Sequence, residues 1–390
     1  FYEILPVKSN SGNWLVNGGK TNTADIPSLV STLLTWERVR SFNVGFDFGA
    51  FSNRLTGSFD YFVRKTVDMV GPAPQLPLVL GIAPAIVNNA DMKSYGFEIE
   101  LSWRDRIGEV DYGVKFNLAD AQQKVVKYPN TTNAFSDWYA GKMSGEIWGY
   151  TSLGIAKTDE EMKEHLASLP NGGQNQLGNK WGAGDIMYAD INGDGKVDGG
   201  KGTLADPGDQ RIIGNSTPRY NFGLVLDASY KGFDVSIFFQ GVGKRDYAPI
   251  VGTNGAVFWG AVNNIWQSMA MEEHFDYFRP EGHPMGANLN GYYPRPDFTS
   301  NKNHQVQTRY LQDASYIRLK NLQIGYTLPK QWINKLQINR CRVYVSGDNL
   351  WTGTSLASMF DPETLAAGDW GSGKTYPLSK VISFGLNVNF

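Results

Sequence analysis

The residues best placed for chemistry form one short run, Asp190-Ile191-Asn192-Gly193-Asp194-Gly195-Lys196-Val197-Asp198. Its pattern, D-x-N-x-D-G-x-x-D, sets oxygen-bearing side chains around a tight glycine turn. It matches the first, third, fifth, sixth and ninth positions of an EF-hand-like calcium loop. Ca2+ is a hard ion that takes about six to eight oxygens. Asp190, Asn192, Asp194 and Asp198 would each offer one, and the main-chain carbonyl of Lys196 another. The twelfth position, ordinarily a bidentate acid, is Lys201, which cannot serve; Asp206 or Asp209 could fold back instead. The competing reading is an Asp/Gly-rich turn that holds itself together through Asx hydrogen bonds. Four donors in register favour the metal, as a structural Ca2+ in a surface loop rather than a catalytic one.

No second constellation of this kind is present. His165, His274, His283 and His304 are scattered through loop-like sequence, with no H-E-x-x-H, nucleophile elbow or phosphate-binding loop. The single cysteine, Cys341, excludes an intrachain disulfide, and its setting Cys341-Arg342-Val343-Tyr344-Val345 is that of a strand thiol. Trp138, Tyr139, Trp148, Trp181, Trp259, Trp266, Tyr292, Tyr293 and Trp370 fall in or near long connections. Such rings can stack on sugars or grip peptides, but packing within the loops is the preferred reading for each. The chain therefore reads as a non-enzyme.

The elements that must carry this loop are strands. Tyr95, Phe97, Ile99, Leu101 and Trp103 alternate with Gly96, Glu98, Glu100 and Ser102. After a turn placed at Arg104 to Gly108, Val110, Tyr112, Val114, Phe116 and Leu118 alternate with Asp111, Gly113, Lys115 and Asn117. This period of two gives each strand one apolar and one polar face. It recurs around Phe42–Phe48, Leu55–Tyr61, Tyr220–Leu226, Phe233–Phe239, Leu322–Leu328 and Ile382–Phe390. A change of parity between Leu319 and Leu322 predicts a bulge. Turns are expected at Ser52-Asn53, Lys231-Gly232 and Pro329-Lys330. Roughly ten strands are expected, most of about 9–11 residues, the length that crosses a bilayer at a tilt. Long connections over about 120–215, 245–305 and 350–378 alternate with short turns, the asymmetry of outer-membrane barrels. Two helices are predicted inside them: Thr158 to Leu169, opened by a Thr158/Glu161 capping box, and Ala261 to Glu273.

Composition agrees. The 390 residues include 44 Gly, 21 Phe, 19 Tyr and 11 Trp, with 19% charged residues. Mean hydropathy is -0.34, and no apolar run is long enough for a transmembrane helix. A barrel that alternates lipid- and lumen-facing residues has this soluble-looking mean. The net charge of -2 predicts no nucleic-acid partner. The competing folds are a soluble β-sandwich or propeller, and the competing function is a secreted β-rich, calcium-stabilised glycan-binding protein. A hydrolase on a β-scaffold is a third reading, supported by no motif. The chain opens Phe1-Tyr2-Glu3-Ile4, without an initiator Met, and reads as a piece of a longer or processed protein.

Several stretches, in order, resemble SusC/RagA-type TonB-dependent outer-membrane transporters. They include Leu34-Thr35-Trp36-Glu37, Asn43-Val44-Gly45-Phe46-Asp47-Phe48-Gly49 and Asn53-Arg54-Leu55-Thr56-Gly57-Ser58-Phe59-Asp60-Tyr61. Later come Tyr188-Ala189-Asp190-Ile191-Asn192-Gly193-Asp194-Gly195, Ile212-Ile213-Gly214-Asn215, Tyr230-Lys231-Gly232-Phe233-Asp234, Phe238-Phe239-Gln240-Gly241 and Tyr310-Leu311-Gln312-Asp313-Ala314-Ser315-Tyr316-Ile317-Arg318-Leu319-Lys320-Asn321-Leu322. The resemblance implies an all-β fold: residues 1–390 as the C-terminal part of an antiparallel transmembrane β-barrel, roughly ten strands of the 22-stranded, plugged class, with long extracellular loops. The N-terminal plug and the TonB-contacting segment would lie outside this chain. It further implies import of an oligosaccharide or peptide across the outer membrane, with a SusD-like surface lipoprotein as lid, TonB as energy source and outer-membrane lipid around the barrel. Phe390, closing an alternating strand, resembles a barrel assembly signal. In this family the Asp-rich loop is followed by a later Asp that matches Asp209. Here the insertion Gly199 to Pro207 intervenes, so Asp190, Asn192, Asp194 and Asp198 are expected to matter more than Asp209.

Overall fold

The computed structural model describes residues 9–24, 34–71, 85–249, 256–260, 271–297, 300–334, 337–365 and 376–390. In chain order the strands begin with the ribbon β1 (Ser9–Val16) and β2 (Gly19–Ala24), then β3 (Arg38–Ala50), β4 (Leu55–Gly71), β5 (Val87–Ile107) and β6 (Val110–Lys127). A long connection carries β7 (Glu146–Gly149), β8 (Ser152–Ile155), helix α1 (Asp159–Ala167), β9 (Ile186–Tyr188) and β10 (Arg211–Asn215). β11 (Arg219–Tyr230) and β12 (Phe233–Lys244) follow. The next connection holds β13 (Asp246–Tyr247), α2 (Ala256–Trp259) and β14 (Gln312–Asp313). β15 (Tyr316–Thr327), α3 (Lys330–Ile333), β16 (Arg340–Thr354) and β17 (Val381–Asn389) complete the chain.

Nine strands form one antiparallel sheet in the order β17-β16-β15-β12-β11-β6-β5-β4-β3. Directly opposite residues share a face, so the register can be read as rows across the sheet. One row runs Phe48, Gly57, Leu101, Phe116, Leu224, Phe239, Leu319, Trp351. The adjacent row, one residue along every strand, runs Asp47, Ser58, Glu100, Asn117, Gly223, Gln240, Arg318, Thr352. The expected alternation is therefore in register through the sheet. Gly57 leaves room in the apolar row, where a Cβ would stand 2.6 Å from the Phe48 ring.

Among the described residues, none forms a layer over the apolar face. Mid-sheet Leu101 is 38% exposed, Trp351 52% and Ile324 47%. In a β-sandwich this face would be the dry core; here it faces outward, as a lipid-contacting face does. No described helix is long and apolar enough to cross a membrane.

Three expectations are corrected. The strands are longer than about 9–11 residues: β5 has 21 and β6 has 18. At about 3.4 Å per residue β5 runs roughly 70 Å, well beyond a hydrocarbon core of about 30 Å. Their far ends stay paired after the outward side chains turn polar, at Lys65, Lys93 and Lys124, where hydropathy no longer marks a strand. The turn placed at Arg104 to Gly108 is only Gly108-Glu109, because Arg104 pairs with Gly113 and Arg106 with Asp111. The turn at Lys231-Gly232 is tight, with both residues at positive φ (46° and 91°), the twist a two-residue hairpin needs. Pro329-Lys330 opens α3 rather than a bare turn. The bulge is found where parity predicted it, at the Leu319/Asn321 register shift.

The short turns lie at one end of the sheet and the long connections at the other. Those connections assemble a cap with its own core: Tyr150, Ile186, Tyr188, Val257, Phe258, Trp259, Tyr293, Tyr310, Leu356 and Phe360 are all buried. Helix α1 begins as predicted, with the Glu161 N–H donating to Thr158 Oγ1 at 3.1 Å. Of the predicted Ala261 to Glu273 helix, residues 261–270 lie outside the described residues, and Glu272–Phe275 form a 3-10 turn.

Candidate functional site

The Asp-rich run leaves the cap core at Tyr188. That ring is fully buried, its hydroxyl donating to Lys302 O at 2.7 Å. The chain then reverses at Gly193 and Gly195, both at positive φ (75° and 81°), which a glycine adopts without steric cost. Asp190 ties the turn, with Oδ1 accepting from the Gly193 N–H at 2.7 Å and Oδ2 from the Gly195 N–H at 2.8 Å. Asn192 Oδ1 accepts from the Asp194 N–H at 3.0 Å, and Asp194 Oδ1 from the Lys196 N–H at 3.2 Å. These are the Asx bonds of the self-closing reading, formed by the residues expected to hold Ca2+.

Of the two acids offered for the return, Asp206 and Asp209, it is Asp209 that folds back against the run, despite the insertion. It is fully buried, with Oδ1 accepting from the Ile191 N–H at 2.7 Å and Oδ2 from the Asp198 N–H at 2.8 Å. The inserted segment closes on itself: a Cβ on Gly208 would stand 2.3 Å from Asp198 O and 2.4 Å from Gly200 N. The loop extension is looped out, and the two halves of the motif meet. Burial raises the Asp209 carboxyl above the usual carboxylate range, although three backbone N–H groups pull it down.

Lys196, whose carbonyl is the expected donor, also brings its ammonium to the acids. Its Nζ lies 2.5 Å from Asp198 Oδ2 and 3.9 Å from Asp194 Oδ2. Burial would raise the Asp198 carboxyl, but the Lys196 ammonium and the Gly200 N–H outweigh it and hold it below its ordinary value. Asp198 in turn raises the Lys196 ammonium. Among the described residues no three acidic, histidine or cysteine side chains converge as a metal cluster. The donors for a hard cation are gathered on one turn, with an internal cation among them.

The buried hub that sequence reading missed is Asp185, fully buried. It accepts from Arg295 Nε at 2.8 Å, Lys302 Nζ at 2.9 Å, Asn303 Nδ2 at 2.9 Å and the Gly182 N–H at 2.9 Å. Lys302, 1% exposed, also donates to the Lys180 carbonyl at 3.0 Å and lies 5.0 Å over the Trp181 ring. This hub locks residues 179–185 to Arg295, Lys302 and Asn303, bringing together two connections far apart in sequence. No short motif announces it.

The histidines do not build a catalytic arrangement among the described residues. His274 Nε2 lies 3.0 Å from Val257 O, and His165 Nε2 lies 3.2 Å from Gln174 Oε1. His304 is fully buried against Trp259, ring centroids 4.5 Å apart, and burial pushes its pKa down to about 4. Trp259, Tyr292 and Tyr293 pack in or against the cap core, and Trp148 stacks on Phe135 at 4.6 Å. Trp266 and Trp370 lie outside the described residues. Trp138 stays exposed beside Tyr128, Met69, Met92 and Val125, on a hollow of about 440 Å3 at the loop end of β4–β6.

The cap is pinned to the polar face of the sheet. Arg318 Nη2 donates to Asp361 Oδ1 at 2.9 Å, and Lys320 Nζ to Glu363 Oε2 at 2.8 Å.

Comparison with known proteins agrees with this architecture. Residues 7–350 match the family model described as TonB dependent receptor-like, beta-barrel. The chain is 28% identical over its whole length to TonB-dependent receptor P3 of Formosa agariphila, of which it covers 38%. It is 21% identical over 93% of its length to TonB-dependent receptor SusC of Bacteroides thetaiotaomicron, covering 33% of that protein. The chain thus spans little more than a third of these relatives. Among solved structures, the RagAB peptide transporter superposes with a TM-score of 0.69 at 22% identity, over 99% of this chain and 38% of that one.

Proposed function

This chain belongs to the TonB-dependent receptor-like β-barrel family, and from that premise we propose that its parent protein imports a nutrient across the outer membrane. The observation that carries the reading is the pair of rows across the sheet. Phe48 to Trp351 form an uncovered apolar face, and Asp47 to Thr352 form the polar face next to it. A wall with a lipid side and a wet side lines a passage; it has no use in a soluble binder. The sheet order ends at β3 and β17 without joining them, so this part supplies a wall and not a closed pore.

The cargo class is an oligosaccharide or a peptide, delivered to the loop end with a SusD-like surface lipoprotein, and TonB drives passage through the rest of the protein. The exposed Trp138 and the hollow beside it, on the loop side, offer an apolar platform for either. In the same reading Ca2+ is a structural ion of the cap, held by Asp190, Asn192, Asp194 and Asp198. Lys196 must swing aside for it, and Asp209 braces the turn from behind.

The test is isolation of the full-length protein from its host's outer membranes by mild detergent extraction, with identification of everything that copurifies. A surface lipoprotein together with retained glycan or peptide is the expected result and would name the cargo class. Recovery without detergent in a soluble fraction would overturn the reading in favour of a secreted glycan-binding protein.

A further inference from the structure

One row of the outward face carries four cations where the rows below it are apolar apart from Gln122 and Asp120 on β6. Arg40, Lys65, Lys93 and Lys124 stand directly opposite one another on β3, β4, β5 and β6. They share the outward parity, since the next row toward the turn end is Phe42, Val63, Tyr95 and Gln122. Like charges directly opposite on neighbouring strands destabilise a sheet, and here three such juxtapositions follow in succession. The carboxylates nearby are engaged elsewhere: Asp68 with Arg38, Asp120 with Arg219, and Asp91 Oδ1 with the Asp68 N–H at 3.0 Å. Arg40, Lys65 and Lys124 are exposed, and Lys93 lies over the Tyr95 ring at 5.1 Å.

The height of the row is informative. On β5, ten residues separate Lys93 from Trp103, whose Nε1 donates to Tyr112 OH at the turn end. At about 3.4 Å per residue and a tilt of about 40°, that is about 26 Å along the membrane normal. A barrel's apolar band is about 25 Å tall. The cations therefore sit at the loop-side rim of the band, with stems able to run along the apolar face. Three strand spacings make the row about 14 Å long, enough for more than one phosphate.

We propose that this row binds the phosphate groups of an anionic glycolipid in the outer leaflet, which neutralise the four cations and fix the barrel's depth. The proposal rests on the outer-membrane placement of the barrel, and not on its cargo. The probes are diphosphoryl lipid A and its dephosphorylated form, titrated into the full-length protein in zwitterionic lipid nanodiscs at low salt. Barrel folding is read separately by heat-modifiable gel mobility, and outer-membrane placement by fractionation. Wild type should bind the phosphorylated lipid at least tenfold more tightly. Replacing Arg40, Lys65, Lys93 and Lys124 by Gln should remove the difference, at roughly fivefold per cation. A charge-retaining set, Lys65→Arg, Lys93→Arg and Lys124→Arg, should keep it. Equal binding of the two lipids by wild type overturns the proposal without needing any variant to fold. So does an unchanged preference in the folded Gln variant, or displacement of the lipid by millimolar inorganic phosphate.

Discussion

The sheet and the cap solve the same problem in opposite ways. In the sheet the large apolar side chains point outward and remain exposed, with Phe46 at 60% and Phe384 at 85%, while the polar residues face the interior of the curve. In the cap the ordinary rule holds: Trp259, Phe258, Tyr293 and Tyr310 are buried, and charge goes inside only where it is paired, as at Asp185 and Lys302. The sheet takes its stability from its backbone ladder and from lipid, the cap from a water-excluded core. The difference teaches that one chain can be written in two solvent codes, and that each region should respond to a different insult.

The sharpest way to break the comparison is at the cap hub. Lys302→Met leaves the fully buried Asp185 without one of its cations and should cost about 3–5 kcal/mol of local stability. Hydrogen exchange on the detergent-solubilised full-length protein should show loss of protection over 179–185 and around Arg295 and Lys302 with the sheet unchanged. Equal loss in β5 and β6 would mean the two regions are one cooperative unit.

The converse change is Phe116→Arg, in the middle of the outward row. It should cost about 2–4 kcal/mol in lipid, read by denaturant unfolding in vesicles. The neighbouring Asn117→Arg, on the polar face, should cost much less. Similar penalties for both would remove the lipid assignment of the apolar face.

A pH titration separates the regions without mutation. His304 has a folded pKa of about 4 against an ordinary 6.5, so its contribution is present above about 6.5 and lost as pH falls toward 4. The loss should be about 2 kcal/mol at pH 5, seen as faster proteolysis of the cap and abolished in His304→Leu. The sheet should not follow.

The smallest effects lie at the edges of the cap. Thr158→Ala removes the cap of α1 and should cost about 1 kcal/mol. Added Ca2+ should raise the melting temperature of the cap alone, less so in Asp194→Ala and more so in Lys196→Met, whose competing ammonium is gone. A Ca2+ response identical in all three would leave the loop as a self-bonded turn.

The two regions also differed in legibility. Sheet residues such as Phe97 and Glu98 could be assigned to opposite faces by counting, because a strand's side chains alternate whatever it pairs with. Where the alternation ends, at Lys93 and Arg104, the strands run on, since pairing continues after hydropathy stops alternating. In the cap there was no period to count. Trp259 and Tyr293 read only as loop aromatics, and Asp185 carried no signal, because its side-chain partners Arg295, Lys302 and Asn303 lie more than a hundred residues away. The Asp-rich run lies between these cases. Its turn and its donors were visible in the spacing of Asp190, Asn192 and Asp194. Which of Asp206 and Asp209 returns across the insertion is settled only by contact between the two halves, and the ammonium of Lys196 among the acids carries no signal in the spacing.

By itself, then, the sequence determined which side of each strand meets lipid, the tight turns at Ser52-Asn53 and Lys231-Gly232, and which family the chain resembles. These are local properties of a backbone whose side chains repeat every second residue. Only the tertiary structure decided how the long connections pack, which charges they bury in pairs, and that four cations on separate strands stand in one row. Each of these depends on register or contact between segments far apart in the chain, and no local period encodes it.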